Sequence, residues 1–109
     1  MLVKELLEKV SFNDSCVNEL KYIKGTVILN IDLCMWKQKD YKDGEPELKE
    51  VTLTFLDSKD YKWESDKDEE DIEYDSIIDI TFEDKMVKIV LEDEDISILT
   101  FKCCEVQMN

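Results

Sequence analysis

Apolar and polar residues alternate most clearly over residues 26–36. The odd positions are all apolar, whereas the even positions include Asn30, Asp32 and Trp36. A period of two with one wholly apolar face is typical of a half-buried β-strand. Eleven residues is long for a strand, so we predict a central strand that bends or bulges towards its end.

Similar alternation predicts several further strands. They cover residues 16–24, 48–57, 76–83, 86–92 and 96–108, and a short one ends near Trp63. Because Lys24-Gly25 is a tight-turn dipeptide, the first two strands should form a hairpin. The strand at 48–57 should pair with the central strand, and the last three strands should form a meander.

The alternation also assigns side chains to the two faces of a strand. Over residues 16–24 it places Leu20 and Tyr22 on one face and Val17 on the other. The apolar face of the strand at 76–83 is assigned to Ile78, Ile80 and Phe82.

Residues 1–10 have a helical period instead. Leu2, Leu6 and Val10 fall on one stripe, and lysines and glutamates lie on the other side. A helix this short is marginal by itself and must dock on another element. We expect it to dock on one face of the sheet; the alternative is that it binds a partner.

The length of 109 residues predicts one domain over residues 1–109. Hydrophobic residues make up 43% of the chain, which is enough to form a core despite the high charge. We therefore predict a mainly β protein. It should be an antiparallel β-sandwich or a strongly curled sheet of six to seven strands with one short N-terminal helix.

The charge narrows the classes of function. The formal net charge is −14, every basic residue is a lysine, and histidine is absent. Without histidine the chain lacks the usual general base and the commonest metal ligand, so we expect neither an enzyme nor a metal or other cofactor. Excess negative charge repels nucleic acids and anionic membranes but attracts a basic protein. The alternative is that the charge only keeps the protein soluble.

Cysteine spacing and the N-terminal residues predict the compartment. The four cysteines lack the spacing of a disulfide framework or a zinc site, so we expect reduced thiols. Charged residues interrupt the only apolar segment near the N-terminus, and no apolar run approaches transmembrane length. These features together favour a cytoplasmic protein.

Residues 57–75 hold ten acidic residues and three lysines, which is half of the excess negative charge. Aromatic residues interrupt the acids, and aromatics beside carboxylates suit a surface where aromatics anchor a partner and acids steer it. The predicted partner-binding residues are Trp63, Asp66, Asp68, Glu69, Glu70, Asp71 and Tyr74. The segment lacks the central glycine and the placed glutamate of a calcium loop. The alternatives are a loop that binds a divalent cation loosely and an acidic loop that is simply solvated.

A second candidate site lies on the polar face of the central strand. Asn30, Asp32 and Trp36 share that face and would line a cleft for a small molecule or a sugar. The alternative is that this face is wet and that the two polar side chains are simply solvated.

The chain resembles small acidic β-sandwich proteins of bacterial toxin–immunity loci. The resemblance rests on the NDS turn at 13–15, IDLCMW at 31–36, VTLTF at 51–55, the acidic insert and the closing alternating strands. It implies a cytoplasmic immunity protein that covers the basic active-site surface of a toxin. No individual binding residue transfers with it.

We therefore expect a non-enzymatic protein-binding module, a monomer or homodimer, that inhibits a basic partner. The alternatives are a β-sandwich that binds a small molecule or sugar, and a protein with only a structural role.

Overall fold

The computed structural model describes all 109 residues and is mainly β, as predicted. Helix α1 (Val3–Lys9) precedes eight strands, one or two more than predicted. The strands are β1 (Cys16–Ile23), β2 (Thr26–Cys34), β3 (Leu48–Leu56), β4 (Lys59–Glu64), β5 (Ser76–Glu83), β6 (Met86–Glu92), β7 (Ile96–Lys102) and β8 (Glu105–Met108). No helix has the length and apolar character needed to cross a bilayer.

All eight strands belong to one antiparallel sheet with the order β4-β7-β6-β5-β1-β2-β3-β8. The sheet has two four-stranded halves, joined between β1 and β5 by the single pair Cys16–Ser76. Phe55 of β3 meets Phe101 of β7 edge to face, with ring centroids 5.0 Å apart. These strands are far apart in the sheet order, so the sheet curls until its halves share a core. Two separate sheets, as in the predicted sandwich, are not present.

The predicted hairpin and central strand are present. Strand β2 pairs with β1 and with β3, without a register shift against β3, and its apolar face is buried throughout. It ends at Cys34 in a single 3-10 turn, Met35–Lys37. The side chain of Gln38 donates 2.9 Å to the carbonyl oxygen of Cys34. The expected bend at the end of the strand is this turn.

Two bulges overturn the predicted facing of Val17 in β1 and of Ile78 in β5. The pairing of β1 with β2 shifts between Val17 and Glu19, so Val17 and Leu20 both enter the core. An extra residue in one strand reverses the alternation beyond it. In the same way β5 buries Ile77 with Ile80 and leaves Ile78 39% exposed. Phe82 does pack against the core, as predicted.

The predicted final strand over residues 96–108 is two strands. Strand β7 ends at Lys102, and β8 starts at Glu105 and pairs with β3. The thiol of buried Cys103 lies 3.1 Å from the carbonyl oxygens of Leu56 and Glu105. These contacts stabilise the turn between β7 and β8. Leu99, Phe101 and Cys103 are buried at every second position, so the pattern gives no sign that β7 has ended. The next buried residue is Val106, three positions later, which is out of phase with that alternation.

Helix α1 docks as expected, with Val3 and Leu6 in the core and contacts to β5 and β8. Leu2, which the helical stripe included, is exposed and instead forms a β-bridge with Glu105.

Candidate functional site

The acidic segment, residues 65–75, connects β4 to β5 and is fixed at several points. The indole N–H of Trp63 donates 2.9 Å to the carbonyl oxygen of Lys67. The hydroxyls of Ser65 and Ser97 are 2.6 Å apart, and Ile72 is buried in the core. The acids therefore extend from an anchored segment rather than from a free loop.

One carboxylate of the segment points inward and forms an ion pair with the segment's only lysine. The Nζ atom of Lys67 donates 2.8 Å to Oδ1 of Asp75, whose residue is 1% exposed. A second carboxylate, Asp93, lies 3.8 Å from the same Nζ atom. The hydrogen bond with Asp75 raises the pKa of the Lys67 ammonium, so the lysine stays charged.

The remaining carboxylates of the segment form no ion pair within the protein. The exposed ones are Asp66, Asp68, Glu70, Asp71 and Glu73. Glu69 is half-buried, and the side chain of Tyr74 projects into solvent with 76% of its surface exposed. Since the lysine points inward, the outer side of the segment is uniformly negative.

Aromatic side chains lie behind the segment. Tyr61 of β4 contacts Tyr22 of β1 with ring centroids 4.4 Å apart, and it lies 6.4 Å from Phe101. The Tyr61 hydroxyl is shielded from solvent and lies near the Glu69 carboxylate, but no atom meets the geometry of a hydrogen bond with it. Its burial, together with the nearby Glu69 carboxylate, raises the pKa of the phenol. Trp63 is half-buried and packs against the core.

Three adjoining cavities of about 690, 450 and 460 Å³ run along β1 and form what we term the β1 groove. Their linings overlap at Lys21 and share further residues of β1. The acidic segment borders the groove on one side with Asp68, Glu69, Glu70 and Glu73. The outer faces of β2 and β3 border it on the other. Parts of the two sites predicted from the sequence therefore line one groove.

A ladder of polar side chains covers the β2 wall. The amide of Asn18 donates 2.9 Å to Oδ1 of Asn30 and lies 3.1 Å from Oδ1 of Asp32. The amide of Asn30 donates 2.9 Å to the hydroxyl of Thr52. Asp32 lies directly opposite Glu50 on β3, and like charges in such a pair repel. This wall is also net negative.

The predicted site residues divide between groove and surroundings. Asn30 and Asp32 line the groove, but Trp36 lies in the turn after β2, is 49% exposed and is not part of the lining. Trp63, Asp68, Glu69 and Glu70 border one end of the groove. Asp66, Asp71 and Tyr74 lie outside its lining.

Sequence reasoning missed the floor of the groove. The missed residues of this floor are Asn18, Glu19, Lys21 and Ile23 of β1, and Glu73 was missed on the side formed by the acidic segment. The bulge in β1 and the hydrogen bond from the Tyr74 N–H to the Val17 carbonyl oxygen, 2.8 Å long, bring β1 beside the acidic segment. These are contacts across 57 positions of the chain, and no local pattern reports them.

No group of three or more Cys, Asp or Glu side chains is arranged to hold a metal ion. All four cysteines are free thiols. Burial raises the pKa of the Cys34 and Cys103 thiols, which keeps them protonated. These two thiols are therefore packing groups rather than nucleophiles.

The fold and the groove define a mainly β protein with a negatively charged groove along one inner strand. Comparison of the chain with protein-family models, with curated proteins and with solved structures found no match.

Proposed function

We propose that this protein is a non-enzymatic binding module that captures and inhibits a basic partner protein. The observation that carries the proposal is the anchored acidic segment, whose outward carboxylates have no partner in the protein while its one lysine is bound to Asp75. Repulsion among these carboxylates costs stability, and a cationic surface laid over them would relieve it.

Geometry supports recruitment of a protein rather than a small ion. The exposed carboxylates spread along the segment instead of converging on one point, and exposed Tyr74 lies among them. Charges arranged in this way speed encounter, and an aromatic side chain supplies contact area after encounter. The partner we propose is a toxin encoded beside this gene, in keeping with the resemblance to immunity proteins, and the compartment is the cytoplasm.

The alternative, a site for a small molecule or sugar, has weaker support. The Asn18, Asn30 and Thr52 side chains already bond to one another, so a ligand would have to replace those bonds. Trp36, the aromatic platform that such a site would use, lies outside the groove.

The test is co-expression with the product of the neighbouring gene, using growth of the host and co-purification as readouts. One variant removes four charges from the segment: Asp68→Asn, Glu69→Gln, Glu70→Gln and Asp71→Asn. The matched control removes four charges from the exposed loop after β2: Asp40→Asn, Asp43→Asn, Glu45→Gln and Glu47→Gln. Both variants change the net charge equally and introduce the same residue types.

We expect the native protein and the loop variant to restore growth and to co-purify with the partner, whereas the segment variant does neither. Equal protection by the two variants would contradict the proposal, as would a neighbouring product that the native protein does not bind.

A further inference from the structure

Strand β1 has an open edge inside the groove. The segment begins to close that edge, because the N–H of Val17 donates 2.8 Å to the carbonyl oxygen of Asp75 and the N–H of Tyr74 donates to Val17. Beyond these two bonds the segment forms no backbone hydrogen bond with residues 18–23 of β1, although its 3-10 turn, Glu69–Asp71, stays in contact with the strand. The only pair between β1 and β5 is Cys16–Ser76, so neither element pairs with residues 18–23 on that side.

The pairing of β1 with β2 identifies which backbone N–H and C=O groups of β1 have no partner. Ile23 and Thr26 flank a two-residue turn with positive φ at both Lys24 (49°) and Gly25 (76°), so they form a hydrogen-bonded pair. Alternation along an antiparallel ladder then directs the N–H and C=O groups of Leu20 and Tyr22 away from β2. Neither residue forms a backbone or side-chain hydrogen bond on that side.

The edges of the two terminal strands of the sheet, β8 and β4, are protected. Residues Met1 and Leu2 cover β8, with the N–H of Val106 donating 2.9 Å to the carbonyl oxygen of Met1. Strand β4 is bent by the positive φ of Asp60 (55°) and by a shift in its register with β7. Proteins block strand edges by bending them, by placing charges on them or by covering them. The edge at Leu20 and Tyr22 borders a groove instead.

We propose that this edge accepts an extended, lysine- or arginine-rich segment of the partner as an added β-strand. The Leu20 and Tyr22 backbone groups would supply the hydrogen bonds. The apolar lining from Tyr22, Ile23 and Trp63 would take alternate side chains, and Asp68, Glu69 and Glu70 would face the cationic ones. This inference rests on the proposed function and specifies how the basic partner binds.

The test uses three blocked hexapeptides and the full-length protein. The first alternates lysine and valine, the second has the same sequence with every backbone amide N-methylated, and the third has serine in place of lysine. Affinity is measured by calorimetry at about 50 mM salt, where surface charges are weakly screened. Amide hydrogen exchange of Leu20 and Tyr22 is followed by NMR.

We expect the lysine–valine peptide to bind and to slow exchange of the Leu20 and Tyr22 amides by about tenfold or more, without affecting amides in residues 37–47. The N-methylated peptide should bind about tenfold more weakly or worse, because it keeps the charges but has no N–H donors. Equal affinity of these two peptides, unchanged exchange at Leu20 and Tyr22, or no binding of either peptide would overturn the added strand.

The peptides also separate this inference from the proposed function. Equal, salt-sensitive binding of the first two peptides removes the added strand and leaves acidic recruitment in place. Binding of the serine peptide as tight as that of the lysine peptide, with slowed exchange, supports the open edge and argues against a basic partner.

Discussion

Lys67 and Asp75 form the only ion pair of this protein in which one partner is fully buried, with Nζ and Oδ1 2.8 Å apart. The pair removes the lysine from the outer side of the acidic segment and joins the start of that segment to its end.

Replacing Lys67 with methionine should lower the free energy of unfolding by about 2 kcal/mol, because Asp75 is then buried without a cation. Fully buried pairs lose more, but Lys67 keeps partial contact with solvent. Urea unfolding checks the value. The control is Lys62→Met, which breaks the exposed pair with Glu64 and should cost about 0.5 kcal/mol or less. Equal losses in the two variants would mean that the buried pair does not hold the segment.

Alkaline pH should destabilise the protein through Tyr61. Its pKa is raised above the ordinary value of 10.0, so the unfolded chain loses this proton at a lower pH than the folded protein does. Stability is therefore fully present below pH 10.0 and falls as pH rises towards the folded pKa. Lys67, whose pKa is also raised, acts in the same direction.

The variant Tyr61→Phe isolates that contribution. It should flatten the decline above pH 10.0. Near pH 7 it should leave the unfolding free energy unchanged or raise it by up to about 1 kcal/mol, because the lost hydroxyl has no partner. Unfolding followed at several pH values checks both effects. An unaltered alkaline decline in Tyr61→Phe would refute the assignment.

The bulge in β5 gives a test that separates two neighbouring isoleucines. Ile77→Ala should cost about 2–5 kcal/mol because Ile77 is fully buried. Ile78→Ala should cost about 1 kcal/mol or less because that side chain faces solvent. Thermal and urea unfolding measure the difference. The reverse order, which strict alternation over residues 76–83 predicts, would place Ile78 in the core and remove the bulge.

The sequence predicted the fold wherever burial follows local alternation. Val27, Leu29 and Ile31 alternate without interruption, so the central strand, its partners and its apolar face were predicted correctly. The facing predicted for Val17 in β1 and for Ile78 in β5 was wrong, because a bulge changes the phase of the alternation without requiring a particular residue type. The break between β7 and β8 at Cys103 was not predicted, because buried residues keep alternating up to that position.

The candidate site was predicted in pieces. The concentration of charge in the acidic segment and the polar pair Asn30 and Asp32 are local features, so the sequence indicates both. Their meeting across β1 depends on the bonds between Val17 and Tyr74–Asp75 and on the curl of the sheet. The inward turn of Asp75 had no local signal either, since it is one carboxylate among ten in residues 57–75.

The most direct test of the account is the salt dependence of affinity for the product of the neighbouring gene, measured by calorimetry for the native protein, the segment variant and the loop variant. Between about 50 and 500 mM salt the native protein and the loop variant should lose affinity steeply, since screening weakens attraction between exposed charges. The segment variant should bind weakly at low salt and change little. Affinity that does not respond to salt, or an equal response in all three proteins, would contradict recruitment through the acidic segment.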